Sequence, residues 1–323
     1  MRAIVVREVG GPEVLRIEDV PEPRPGAGEI AIAVEFIGVN FTDVRNRVGD
    51  GLGVVPFTPG VEVSGTVSAI GNGVEAFTVG QRVAAFTRGH AYAEVVTAAE
   101  IFTVALPDEL AGRPEAAGML VTVPLAINVV ERAARVLAGE TVVLHAAAGG
   151  VGSIVGQLLR ELPGVRLWGT VGDLSKADYA RKHGYSEVMN YADFDVQVAA
   201  LTGGRGVDVV LDPVGGELQA RSLEVLAPFG RLVSYSNISR APQVLPDAEW
   251  LRARCIGYVG ISNGQLSVRA PEVVRAGLER AVDLVASGAV HIDVTAVLPL
   301  KQATQAHQAF EERSAVGKFV LSV

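Results

Sequence analysis

An apolar segment that runs directly into a turn of small residues is the feature that most constrains this fold. Residues 141–145 have the composition of a buried strand, and residues 146–152 follow as Ala-Ala-Ala-Gly-Gly-Val-Gly. Glycine lets a backbone approach a pyrophosphate closely, and a helix that begins near Val151 directs unpaired N–H groups at an anion. The segment therefore predicts a strand, turn and helix that hold a dinucleotide phosphate.

The match to the dinucleotide fingerprint G-x-G-x-x-G is incomplete. Gly149 and Gly152 take its second and third glycine positions, whereas Ala147 takes the first. A small-residue turn between a strand and a helix can also be purely structural. The elements that follow decide in favour of nucleotide binding.

Strand-like and helix-like segments alternate after the turn. Residues 165–171 have a strand pattern, residues 175–183 a helical pattern ended by Gly184, and residues 207–211 and 231–235 strand patterns again. This alternation predicts a parallel, doubly wound sheet whose ligands lie at the carboxyl ends of its strands.

The first 110 residues differ, because short strand-like runs there are separated by Gly and Pro turns. The predicted strands are residues 14–20, 29–37, 65–70, 82–86 and 91–97. They predict a mostly antiparallel, barrel-like β domain. Residues 116–137 have a helical pattern with a proline interruption, which leads into the nucleotide domain.

The end of the chain is expected to return to the first domain. Residues 271–287 and 301–312 have helical patterns, and residues 318–321 form an apolar terminal strand that needs a sheet to join. The chain would then cross twice between two domains and enclose a cleft, where small-molecule sites are common.

Charge and hydropathy narrow the class of partner. The chain has 28 Lys and Arg against 36 Asp and Glu, a net charge of −8, which disfavours nucleic acid and anionic membranes. The apolar stretch 116–130 contains Pro124 and Asn128 and is too short for a bilayer. The first residues lack a signal-peptide pattern. We expect a cytoplasmic protein whose partner is a small-molecule substrate.

Cysteine and histidine usage predicts no metal site. Cys255 is the single cysteine, which excludes an intrachain disulfide, and it is expected to be a buried small hydrophobe. The five histidines are scattered without metal-ligand spacing. His145, at the end of the first nucleotide-domain strand, is expected to pack or to form hydrogen bonds.

Several short motifs, in this order and spacing, resemble one known superfamily. They are residues 38–43 (GVNFTD), 59–65 (PGVEVSG), 146–152, 169–191, 212–216 (DPVGG) and 317–318 (GK). The chain resembles a medium-chain dehydrogenase/reductase of the zinc-free, zeta-crystallin-like quinone oxidoreductase group. The resemblance implies an α/β protein in which a GroES-like β-barrel domain, residues 1–122 and 265–323, adjoins a Rossmann doubly wound parallel-sheet domain, residues 123–264.

The resemblance also accounts for the lack of metal ligands. Zinc-dependent relatives carry a cysteine where Asp43 or its neighbour lies, and Gly-His-Glu where Gly60, Val61 and Glu62 stand. Without a Lewis acid to polarise an alcohol oxygen, alcohol oxidation is disfavoured. Reduction of an already electron-poor acceptor is the expected chemistry.

The tip of the second nucleotide-domain strand favours NADPH over NADH. NAD enzymes carry an acidic residue there, whereas this chain has Val171 followed by Gly172, which removes the repulsion of a 2′-phosphate. The resemblance places Lys176 and Tyr191 at the adenosine phosphate and adenine. Lys176 could instead be an ordinary solvated lysine, and Asp173 adds a carboxylate to the same loop.

The resemblance implies further contacts along the cofactor. These residues are Ala148, Gly149, Gly150, Val151, Gly152, Gly172, Val214, Ser236, Asn237 and Lys318.

Two residues are candidates for the reacting end of the site. The resemblance places Asn40 near the nicotinamide or substrate, although an asparagine there could simply form a turn. Arg45 stands where many relatives carry a tyrosine. It cannot release a proton near neutral pH, but it can stabilise negative charge on an oxygen. The hypothesis is that Asn40 and Arg45 bind the acceptor oxygen and that solvent supplies any proton; a merely solvated Arg45 is the alternative.

The expected activity is NADPH-dependent hydride transfer to a quinone or an activated α,β-unsaturated carbonyl, without a metal. The alternatives are an enoyl reductase of a biosynthetic pathway and a non-catalytic NADPH-binding structural or sensor protein. A zinc-dependent alcohol dehydrogenase is disfavoured. The apolar run 256–261 suits an exposed sheet edge, which predicts a homodimer, although an internal strand is the simpler interpretation.

Overall fold

The computed structural model describes residues 1–51, 53–243 and 245–323, which divide into two compact units. Met1–Pro124 together with Gly264–Val323 form the first unit, and Leu125–Asn263 form the second. The boundaries lie within two residues of those predicted from the sequence. No helix among the described residues is long and apolar enough to cross a membrane.

Fifteen strands are assigned to the described residues. They are β1 (Arg2–Val5), β2 (Arg16–Asp19), β3 (Glu29–Gly38), β4 (Glu62–Ile70), β5 (Arg82–Phe86), β6 (Val95–Ala99), β7 (Thr103–Ala105), β8 (Thr141–His145), β9 (Arg166–Val171), β10 (Glu187–Asn190), β11 (Val207–Asp212), β12 (Leu226–Ser234), β13 (Gly257–Gly260), β14 (Val294–Pro299) and β15 (Lys318–Ser322).

Eleven α-helices are assigned to the same part of the chain. They are α1 (Phe41–Arg47), α2 (Glu115–Gly118), α3 (Thr122–Ile127), α4 (Gly150–Leu159), α5 (Ala177–Lys182), α6 (Phe194–Thr202), α7 (Gly216–Glu224), α8 (Ala248–Arg254), α9 (Asn263–Arg269), α10 (Pro271–Ala286) and α11 (Ala303–Glu311).

The first unit is a mostly antiparallel β structure. Its larger sheet has the strand order β14-β15-β3-β4-β5-β7, with β6 also paired to β3, and β1 pairs with β2 separately. The terminal strand β15 lies antiparallel to β3, with Val320 opposite Gly38, and parallel to β14. The predicted return of the chain end to the first domain is therefore confirmed. Alternate apolar residues of these strands form a core that includes Ile32, Val63 and Leu321.

The second unit is a six-stranded parallel sheet in the order β10-β9-β8-β11-β12-β13. The strand order reverses between β8 and β11, where ligands of such sheets bind at the carboxyl ends of the strands. β13 lies at one edge of the sheet. The predicted doubly wound parallel architecture is confirmed, and its central strand β8 is fully buried.

Some predicted elements differ from the structure. Residues 14–20 contain only the short strand β2 after a 3₁₀ turn, because Pro12 begins that turn. The single helix predicted over 116–137 is α2, α3 and a π-helical segment, Asn128–Ala134. The strand β10 was not predicted, because Glu-Val-Met-Asn is too short and polar to show a strand pattern.

The prediction that Cys255 is buried is wrong. Cys255 is exposed and follows α8 as its C-cap residue, with a left-handed backbone at φ +55°. The last residues of α8 are exposed to solvent, and the thiol of the C-cap residue is exposed with them.

Candidate functional site

The small-residue turn joins β8 to α4 at the carboxyl end of the central strand. Ala146 has a left-handed backbone at φ +58°, and the Gly149 N–H donates to the Ala146 carbonyl at 2.9 Å. Gly149 is the N-cap of the ten-residue helix α4. The unpaired N–H groups of this helix start are therefore located where the strand order reverses, as an anion site requires.

Close packing explains Gly152 and Ala147 of the turn. A Cβ at Gly152 would lie 2.5 Å from the Ala147 carbonyl oxygen, so no side chain fits there. Ala147 occupies the first fingerprint position, and its methyl group is accommodated by Gly169 of β9, where a Cβ would lie 2.6 Å from that methyl carbon. The missing first glycine is thus compensated from the neighbouring strand.

The loops after β9 and β10 carry three of the predicted cofactor residues, Gly172, Lys176 and Tyr191. A Cβ at exposed Gly172 would lie 3.4 Å from the Tyr191 ring, so the ring lies beside the glycine with room for little more than a methyl group between them. Lys176 ends the 3₁₀ turn Leu174–Lys176 and is half-buried. Burial lowers the pKa of Lys176, and the nearby charge of Asp173 opposes that shift. The Asp173 carboxylate accepts the Ser175 N–H at 2.8 Å and caps this turn.

A second pair of loops carries the remaining cofactor candidates of this unit. The Asp212 Oδ1 atom accepts the N–H groups of Val214 at 2.7 Å and Gly215 at 3.0 Å. The loop after β12 packs on this turn, since a Cβ at Gly215 would lie 2.6 Å from Asn237 Oδ1. Ser236, next to Asn237, is half-buried. Val214, Ser236 and Asn237 therefore lie in the loops at the carboxyl ends of adjacent strands.

His145 has a structural role, as the sequence indicates. Its two ring nitrogens bond to Thr170 Oγ1 and Ser222 Oγ, each at 2.7 Å. Burial, with a smaller contribution from the Arg221 charge, lowers the pKa of His145 to about 3. The neutral ring ties β9 to α7 and does not titrate near neutral pH.

In the first unit, Asn40 is held by a buried polar cluster. The Asn40 Nδ2 atom donates to Glu62 Oε1 at 2.8 Å and to the Gly38 carbonyl at 3.3 Å, and Asn40 Oδ1 accepts from Lys318 Nζ at 2.7 Å. Lys318 and Glu62 form an ion pair at 2.5 Å. Glu62 Oε2 also accepts the Val121 N–H at 2.9 Å.

The structure thus brings Asn40 and Lys318 together, although the sequence assigned them to different functions. The contact of Lys318 with the cofactor stays a prediction. Glu62 was not recognised as its partner, since 256 residues separate the two. The available signal was an acidic residue at the start of the otherwise apolar and small-residue strand β4, because a buried carboxylate needs a compensating charge.

These residues do not fit a zinc ion. The Glu62 carboxylate is already bonded by an ammonium, a carboxamide and a backbone N–H. In the part of the chain that the structure describes, no three His, Cys, Asp or Glu side chains are grouped to hold a metal. The donor set at Asn40 therefore supports an ion pair and not a metal centre.

Arg45 lies one turn after Asn40 on α1 and is half-buried. One terminal nitrogen donates to the Asp50 carbonyl at 2.8 Å, which closes the loop after the helix. The Arg45 Nε atom is buried and has no hydrogen-bond partner among the described residues. Its contact with an acceptor oxygen stays a prediction.

Asp43 connects Asn40 to a second buried chain of polar groups. Asp43 Oδ2 accepts the Asn40 backbone N–H at 2.9 Å and the Tyr92 hydroxyl at 3.2 Å, and that hydroxyl lies 3.1 Å from His307 Nε2. Burial raises the pKa of Asp43 to about 7, against the opposing effects of the Asn40 hydrogen bond and the Lys318 charge. Burial also lowers the pKa of His307 to about 3.

The raised pKa of Asp43 predicts a specific pH dependence of stability. Between about pH 4 and pH 7 the unfolded chain loses this proton while the folded chain keeps it, so the free energy of unfolding falls as pH rises. Asp43→Asn removes this proton linkage. We expect the variant to gain stability relative to wild type by a few kcal/mol between pH 4 and pH 7.5. Urea unfolding across this range measures it, and a constant difference between the two proteins would contradict the assignment.

Comparison with known proteins gives the family. Residues 26–119 match the alcohol dehydrogenase GroES-like domain, and residues 183–321 match a family described as zinc-binding dehydrogenase. The chain is 35% identical to a quinone oxidoreductase of Pseudomonas aeruginosa, covering 97% of this chain and 96% of the relative. It is 31% identical to a 2-haloacrylate reductase of a Burkholderia species, covering 99% and 98%.

Solved structures show the same relationship. The quinone oxidoreductase of Escherichia coli, complexed with NADPH, has a TM-score of 0.92 at 30% identity and is matched over 100% of both chains. The CurK enoyl reductase has a TM-score of 0.88 at 26% identity, covering 99% of this chain and 98% of that one. With its GroES-like and Rossmann units, this chain belongs to the medium-chain dehydrogenase/reductase superfamily, in the zinc-free quinone oxidoreductase group.

Proposed function

We propose that this protein is an NADPH-dependent oxidoreductase that transfers hydride, without a metal, to a quinone or an activated α,β-unsaturated carbonyl. The observation that carries the proposal is the small-residue turn at the start of α4, in a chain similar throughout to quinone oxidoreductases. A 2-haloacrylate reductase among its relatives supports an acceptor activated by conjugation.

The residues present fit the nucleotide. Residues 147–152 offer backbone N–H groups for the diphosphate and, apart from Val151, are all alanine or glycine. Gly172, Lys176 and Tyr191 would hold the adenosine with its 2′-phosphate, and Val214, Ser236 and Asn237 would line the cofactor further along. When bound, NADPH supplies the hydride and hence the redox chemistry. The protein itself supplies position and charge.

Asn40 and Arg45 are the groups we assign to the acceptor oxygen. Asn40 Nδ2 donates two hydrogen bonds, and the one to the Gly38 carbonyl, at 3.3 Å, is the weaker. An acceptor oxygen can therefore replace that carbonyl at little cost. The Arg45 Nε–H, on the helix α1 that Asn40 precedes as the N-cap residue, adds a second donor. Both groups stabilise negative charge that develops on the oxygen, and solvent supplies the proton.

A panel of acceptors tests this function. NADPH oxidation is followed with 1,4-quinones, 2-alkenals and enoyl thioesters, and we expect turnover with at least one conjugated class. We expect Arg45→Ala to lower kcat/KM by about tenfold for the best acceptor, as the loss of one charged donor predicts. Unchanged turnover of Arg45→Ala with every acceptor would remove Arg45 from the site.

The same panel separates the alternatives. Selective turnover of enoyl thioesters would identify an enoyl reductase, a possibility supported by the similarity to the CurK enoyl reductase. Tight NADPH binding with no acceptor-dependent oxidation would instead support a non-catalytic structural or sensor protein and would contradict the proposed activity.

The preference for NADPH is assigned to Lys176. We expect Lys176→Ala to lower kcat/KM for NADPH by about tenfold and to leave kcat/KM for NADH within twofold, because the role assigned to the lysine is a bond to the 2′-phosphate, which NADH lacks. The matched control is Lys182→Ala, an exposed lysine on α5. Full NADPH preference in Lys176→Ala would exclude this role.

We also propose a homodimer joined through the edge strand β13, and a cytoplasmic location, where NADPH is available. β13 pairs with β12 on one side and ends the sheet on the other. Light scattering should give about twice the 33.7 kDa of one chain. Gly260→Glu should shift the protein to monomers by charge repulsion, since a Cβ there meets no atom within 4 Å and the fold tolerates it. A monomeric wild type, or a dimeric Gly260→Glu, would contradict this arrangement.

A further inference from the structure

The ion pair of Glu62 and Lys318 lies almost entirely out of solvent. The exposed fractions of the two side chains are 0% and 5%. Taking two charges out of water is unfavourable, and apolar side chains of similar size often stabilise a protein as well or better. A gain in stability is therefore a weak explanation for this buried ion pair. The hydrogen bonds of Glu62 and Lys318 to Asn40 indicate a different explanation.

The pair fixes the orientation of the Asn40 carboxamide. An ammonium only donates hydrogen bonds and a carboxylate only accepts them. Lys318 can therefore bond only the carboxamide oxygen, and Glu62 only its nitrogen. A rotation of the carboxamide by 180° would break both bonds at once, so one orientation is enforced from both ends.

Two glycines provide the space for this arrangement. A Cβ at Gly38 would lie 2.3 Å from Glu62 Oε1 and 2.2 Å from the Ala117 carbonyl oxygen. A Cβ at Gly118 would lie 3.1 Å from Lys318 Cγ. The backbone thus lacks side chains on both sides of the pair, where Glu62 and Lys318 approach Asn40.

We propose that Glu62 and Lys318 are positioning residues, which hold the Asn40 carboxamide so that one N–H meets the acceptor oxygen. Lys318 also polarises the carboxamide through its oxygen, which strengthens both N–H donors. The inference rests on the proposed function, because it assigns a target to Asn40. Beyond the proposed function, it assigns to the ion pair an effect on the reaction that passes through Asn40.

A kinetic cycle tests this coupling. Glu62→Gln/Lys318→Met replaces both charges together, so that no unpaired charge is left buried. It is combined with Asn40→Ala in a triple variant. We expect the pair variant and Asn40→Ala each to lower kcat at saturating NADPH by about tenfold, and the triple variant to equal Asn40→Ala.

Three kinetic results would overturn the proposal. The first is a pair variant with kcat within twofold of wild type, and the second is an Asn40→Ala variant with unchanged kcat. The third is a triple variant that loses a further tenfold, which would show that the pair acts independently of Asn40 or only through stability. The melting temperatures of wild type, the pair variant, Asn40→Ala and the triple variant are measured as well, so that a loss of stability is distinguished from a loss of kcat.

A measurement that needs no turnover separates this inference from the proposed function. The side-chain amide resonances of Asn40 in a ¹⁵N spectrum are identified by their loss in Asn40→Ala. We expect the NH₂ protons to exchange slowly with solvent in wild type and at least tenfold faster in the pair variant. Equal exchange rates in the two proteins would overturn the positioning role of Glu62 and Lys318. Slow exchange in wild type without acceptor turnover would retain the positioning role and reject the proposed activity.

Discussion

The close approach of α4 to the end of β8 is the constraint on which the nucleotide half of the structure depends. The Ala147 carbonyl oxygen leaves no room for any side chain at Gly152, and the Ala147 methyl group needs the absence of one at Gly169. Since the positions of a carbonyl oxygen and of Cβ atoms are set by the backbone, no rotamer change can relieve these contacts. They hold the start of α4 over the central strand, where its N–H groups can bind an anion.

The first unit depends on a different interaction, the burial of complementary charge. Asn40 follows the end of β3, Glu62 begins β4 and Lys318 begins β15. The three residues meet only because β15 joins the same sheet as β3 and β4. The cluster gives the chain a fixed cation and a fixed carboxamide beside each other. The pairing of β15 with β3 therefore brings Lys318 to Asn40 although 278 residues separate them.

The sequence was sufficient where local patterns decide the structure. Strand and helix alternation predicted the parallel sheet, and the Gly149–Gly152 spacing predicted its turn. The compensation of Ala147 by Gly169 was not predictable, because it depends on the register of two neighbouring strands. The pairing of Glu62 with Lys318 is likewise non-local. Cys255 was wrongly expected to be buried, because residue type indicates average burial and not which helix end faces solvent.

The most direct test of the account is a crystal structure of the protein grown with NADPH. The account predicts the diphosphate over residues 147–152, against the start of α4, with the 2′-phosphate beside Lys176 and Tyr191. A nucleotide bound elsewhere on the chain, or no bound nucleotide at saturating concentration, would contradict the central claim that this turn exists to hold the cofactor.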